Sequence, residues 1–236
     1  MHDGMSAEQY KEIEAKENEI FKNYMDVVQV LIMAIEVRRG IFPAYIYTEL
    51  RSLFTHFSRF RLADTLEDKL HHLNGASRHL GRMTRDLHKD LCFTIAEENK
   101  NYINKFAKAI LLVGPHGDLN KRLAQQEKKA RNLYFDAKIL DSKGTLTDNE
   151  EVRLFDAFQT AYAAYSELDN LIEENKSDII EKDAQLESFR KEELDEQVNA
   201  INEATSKTTR RWALITIGVA IAFFFLGLFA PSILFG

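Results

Sequence analysis

Along most of the chain, apolar residues return every three or four positions, the spacing that lines one face of an α-helix. Ile20, Tyr24, Val27, Val28, Leu31 and Ile35 follow this rule and predict a first helix over Glu14 to Val37. Gly40 and Pro43 break it. A second helix over Tyr45 to Arg61 carries Ile46, Leu50, Leu53, Phe54, Phe57 and Phe60, with Pro43 suited to its entry. A third covers Asp64 to Val113, capped by Asp64 or Thr65. Its Leu66, Leu73, Leu80 and Leu87 repeat every seven residues, with Leu70 and Leu91 between them. That pattern serves either a packing face inside a domain or a dimeric zipper. Gly114 to Gly117 is a loop, and a fourth helix runs to about Leu140. Asp148, with Glu150 and Glu151 behind it, opens a fifth helix whose stripe is Val152, Phe155, Phe158, Tyr162, Tyr165 and Leu168. No segment alternates with period two. The expected fold is all-α, a bundle of long helices.

The pattern changes after residue 175. Asp178 to Ser206 is strongly polar, with a thin stripe of Ile180, Leu186, Phe189, Leu194, Val198 and Ile201. A thin stripe on a charged helix suits a stalk or a self-associating coil. Trp212 to Gly236 then holds no charged residue. About 20 helical residues, rising about 1.5 Å each, cross a hydrocarbon core of about 30 Å. The segment therefore reads as a single C-terminal transmembrane helix. Trp212 stands at its interface, Arg210 and Arg211 lie just before it, and Pro231 ends or kinks it. By the positive-inside rule the N-terminal part faces the cytoplasm and the C-terminus points outward, as in a bacterial inner membrane. The lipid bilayer is then a partner. The expected organisation is a polar tail over 1–16, a helical bundle over 17–175, an acidic juxtamembrane helix over 176–209 and the anchor over 210–236.

Composition narrows the chemistry. Three prolines and ten glycines in 236 residues permit long unbroken helices. The single Cys92 excludes a disulfide framework and multi-cysteine zinc sites. Met1 to Asn18 lacks the apolar core of a secretory signal. The net charge of −6 is unevenly spread. Arg38 to Lys89 holds ten bases against five acids and five of the seven histidines, whereas Asp141 to Glu203 holds 18 acids against six bases. Such halves suit different partners. Arg78, Arg82, Arg85 and Lys89 share one helical face. That face suits a phosphate backbone such as RNA, an acidic partner, the acidic stalk of the same chain, or plain solvation. No Walker-type loop, dinucleotide fingerprint, nucleophile elbow or His-Glu-x-x-His occurs, so no cofactor and no metal are expected.

One local feature carries chemistry. Arg51 and His56 form Arg-x-x-x-x-His on the second helix. An arginine can stabilise a developing phosphorane and a histidine can act as acid or base, so the pair can cleave RNA without a metal. Five residues turn about 500°, leaving the two side chains about 140° apart. A second copy or another helix must complete such a site. The bland reading is a helix-flanking cation and a partly buried histidine.

The segment resembles the HEPN family, the all-helical "higher eukaryotes and prokaryotes nucleotide-binding" domains, whose signature is Arg followed after four to six residues by His. Ala76-Ser77-Arg78-His79-Leu80-Gly81-Arg82-Met83 is similar to the His-Leu-x-Arg pattern of small bacterial members. The resemblance covers roughly residues 17–140. It implies a dimerising bundle, with Arg51 on the phosphate and His56 as acid/base residue of a metal-independent ribonuclease. Ser52 stands where many active members carry Asn, Asp or His. Non-catalytic and membrane-bound members exist as accessories of CRISPR and antiviral defence. Two readings follow: a membrane-anchored, homo-oligomeric effector or scaffold, and a tethered ribonuclease.

Overall fold

The structure, a computed structural model, describes residues 6–143 and 148–234. The side chains of 148, 149 and 223–234 lie outside the described set. Every element among the described residues is helical, as the periodicity requires. Two compact units occur, 1–180 and 181–236.

The first unit is built around α4 (Leu66–Lys105). Thr65 caps it by accepting from the Asp68 amide. Leu73, Leu80, Leu87 and Leu91 are all buried. The seven-residue repeat therefore serves packing inside the chain, against α1 (Ala7–Asn23), α2 (Gln29–Arg39), α3 (Tyr47–Leu62) and α7 (Asp148–Glu174). The short α5 (Ala107–Ile110) ends this run, so the predicted continuation to Val113 is broken at Phe106. Then α6 (Asp118–Asp141) pairs with α7.

The first helix begins earlier than predicted. Ser6 and Gln9 form a reciprocal capping box that opens α1 at Ala7, inside the expected polar tail. A π-helical turn at Tyr24–Val28 separates α1 from α2. Its cause is the four-residue spacing of Ile20, Tyr24 and Val28. Two such steps drift about 80° on an α-helix. A wider turn absorbs most of that drift and keeps Ile20 and Val28 both on the core side.

Two polar clamps tie α2 to its neighbours. Arg38 donates to Glu98 on α4 and Asp169 on α7, each at 2.5 Å. Arg39 lies 2.7 Å from Asp90, which also accepts from the Tyr45 hydroxyl at 3.0 Å.

The second unit is the greater part of α8 (Lys176–Leu234). Phe189, Leu194, Val198 and Ile201 are exposed along it. The membrane expectation is corrected here. Among the described residues no helix is long and apolar enough to cross a membrane. Arg210 and Arg211, just before Trp212, are exposed members of the same helix. The single-pass location and its inside-outside orientation therefore do not stand. Nor does Pro231 end the helix, since the backbone of α8 continues to Leu234. Proline removes one hydrogen bond without forbidding continuation. The side chain of Pro231 lies outside the described residues.

Candidate functional site

The histidines of the basic half gather where α3 crosses α4. His56 points from α3 onto the two turns of α4 that carry His72, Gly75 and His79. The His56 and His72 Nδ1 atoms are 3.4 Å apart, one ring donating according to tautomer. The His56 and His79 rings lie 5.3 Å apart. His79 Nδ1 donates to Glu49 Oε2 at 2.6 Å, which fixes its tautomer. Glu49 and His56 are seven apart on α3, nearly two full turns, so both meet α4 on one face.

Gly75 makes this packing possible. A Cβ there would lie 2.3–2.7 Å from the His56 ring atoms. Glycine inside a helix costs about 1 kcal/mol relative to alanine. Its place inside a 40-residue helix is explained by the imidazole seated on it. Gly75→Ala is expected to expel the His56 ring and to change stability by less than about 1 kcal/mol, propensity gain offsetting lost contact. With His56→Ala already in place, the same change is expected to stabilise by about 1 kcal/mol. A double-mutant cycle by urea denaturation reads this coupling. Strict additivity would disprove the contact.

His56 titrates below the ordinary imidazole value of 6.5. Burial is the main cause, followed by His79, His72, Arg59 and His71. His88 is also lowered, by burial that outweighs its bond to the Thr84 carbonyl. It donates from Nδ1 to that carbonyl at 3.0 Å and stands edge-on to Phe155 and Tyr162. These shifts fix a sign. Unfolded rings take up protons near pH 6.5 and the folded rings only below that. Stability is therefore at its full value above about pH 6.5. It falls as the pH drops from there towards the folded values. Melting temperatures between pH 7.5 and 5.5 should decline, and His88→Gln should flatten the slope. A flat wild-type profile would contradict both shifts.

Arg51 does not join the cluster. Its side chain is exposed and forms no hydrogen bond or ion pair among the described residues. The 140° offset on α3 is the reason. Spacing along one helix thus pointed to His56 but missed its partners. Glu49, His72, Gly75 and His79 come together only through the crossing of two helices.

The basic face of α4 is divided. Lys89 Nζ sits 2.8 Å from Asp141 and 3.3 Å from Asp86, and lies 5.3 Å above the Phe158 ring. Arg85 Nε lies 3.7 and 3.8 Å from Asp86 and Asp141. These two cations hold the end of α6 to α4. Arg78 and Arg82 are exposed and form no hydrogen bond or ion pair among the described residues.

Cys92 is buried, and burial pushes its thiol up to about 12, far from a nucleophile's range. Among the described residues no group of three or more His, Cys, Asp or Glu is arranged to hold a metal ion. Comparison with protein-family models, with curated proteins and with solved structures gives no match. The HEPN resemblance therefore rests on the motif residues alone.

Proposed function

We propose that the protein is a self-associating helical effector or scaffold rather than an enzyme. The observation that supports it is the open apolar face of α2. Val30, Met33 and Val37 are exposed there, Val37 at 86 %. They sit on the side of the helix away from Val28, Leu31 and Ile35, which fill the core. They also form one wall of a groove of about 690 Å³, closed by Tyr102 on α4 and Tyr162 and Ile172 on α7. An apolar stripe left exposed along an open groove marks an interaction site. A straight helix face meeting its own copy across a two-fold axis is the simplest closed solution, because one stripe then covers the other. Dimerisation is also what the HEPN resemblance implies.

The expected result is an oligomer by light scattering at tens of micromolar, dissociated in Met33→Glu and Val37→Glu without loss of melting temperature. A monomeric wild type at that concentration would remove this proposal.

A second reading is favoured by one specific observation, the packing of a low-pKa His56 beside His72 and the Glu49–His79 pair. An imidazole kept neutral near pH 7 is available as a base. On this reading the chain cleaves RNA without a metal. Cleavage in excess chelator is expected from the wild type and not from His56→Ala, and equal activity in the two would end it.

A further inference from the structure

A second groove, of about 660 Å³, lies between the end of α1, the middle of α4 and the start of α7. Its α4 wall carries Arg78, Arg82 and Arg85, with Asn74 and Ser77 beside them. We propose that this groove binds a small organic phosphate: a phosphoryl group held by Arg78 and Arg82, with an apolar or aromatic body lying against Val27, Val152 and Phe155.

Three observations converge on it. Arg78 and Arg82 are one turn apart, about 6 Å along the helix, so two planar donor forks stand side by side. Neither is neutralised within the chain among the described residues, unlike Lys89 two turns further on. Arg85, on the same wall, is already paired, its Nε lying 3.7 and 3.8 Å from Asp86 and Asp141. The neutral donors Asn74 and Ser77 are of the kind that supplement arginine on phosphate oxygens. The rest of the lining fixes the ligand class. Val27, Val152 and Phe155 offer an apolar surface, which inorganic phosphate would leave unused. Glu151 on the rim opposes a polyacidic peptide, yet it can accept from amine or amide donors on an organic body. The volume is that of a small-molecule site, not of a duplex track.

The same chemistry reaches the groove from a free metabolite or from the phosphorylated end of an RNA strand. Titration calorimetry on the full chain separates these, with inorganic phosphate, a nucleoside monophosphate, a 5′-phosphorylated RNA oligomer and a glutamate-rich peptide as probes. The monophosphate is expected to bind more tightly than inorganic phosphate, and Arg78→Gln and Arg82→Gln should each weaken it by about tenfold or more. If only the 5′-phosphorylated oligomer binds and loses affinity in the same variants, the phosphate is supplied by RNA and the groove assignment still holds. Both arginines are exposed, so both variants are expected to fold, and their melting temperatures check this. Binding that both variants leave unchanged overturns the proposal. So does capture of the acidic peptide with no binding of the organic phosphates. None of these outcomes depends on the oligomeric state or on His56.

Discussion

Phe158→Ala is expected to cost about 3–5 kcal/mol of folding free energy, among the largest single losses this chain can suffer. Phe158 is wholly buried between α6 and α7 with Leu154 and Ala137, and Tyr134 meets its ring edge-on at 6.0 Å. Removing the ring leaves a cavity that Ala137 is too small to refill. It also strips the surface beneath Lys89 Nζ, a cation–π contact of about 0.5–2 kcal/mol. Phe158→Leu keeps part of the volume and should lose distinctly less. Urea unfolding followed through the near-ultraviolet signal of the tyrosines measures both. A loss below about 1 kcal/mol for the alanine variant would show that the helix pair collapses onto the gap.

Leu87→Ala should lose about 2–5 kcal/mol. Leu87 is fully buried in the cluster formed by α1, α2, α3 and α4, next to Met83 and Leu91 along the same helix. Four helices converge on this stretch, so relaxation into the gap would require moving several at once. Leu87→Met, nearly equal in volume, should cost less than about 1.5 kcal/mol. The clusters that hold Leu87 and Phe158 are separate and share only α7. A single transition with unchanged m-value in both variants is therefore expected, each shifting only the midpoint. A separate early transition in Phe158→Ala would mean that α6 and α7 unfold on their own.

The wild-type packing also shows where periodicity misleads. The stripe expected on α7 began at Val152, which is exposed, whereas Leu154, Phe158, Ala161, Tyr165, Leu168 and Ile172 are the buried row. The alanines were the missing signal. Ala161 and Ala164 let α7 approach α6 closely at Ala130, and small residues barely register in a search for large apolar ones. On α3, Phe54 belongs to the expected apolar stripe but is exposed, because the helix turns its Leu53 and Phe60 side to the core.

Local chemistry alone determined the all-helical class, the breaks at Gly40–Pro43 and Gly114–Gly117, the cap at Thr65 and the buried leucine row of α4. Those properties depend on backbone geometry and on residues within two turns of each other, which the order of residues records directly. Tertiary structure decided the rest. It set His56 on Gly75 beside His72 and His79, left Arg51 outside that group, and split one basic row into Arg85 and Lys89 at work on Asp141 and Arg78 and Arg82 open in a groove. It also turned the outer side of α2 into the wall of a cleft. Each of these depends on which helices cross and at what rotation, and that is settled by the fit of side chains far apart in the chain.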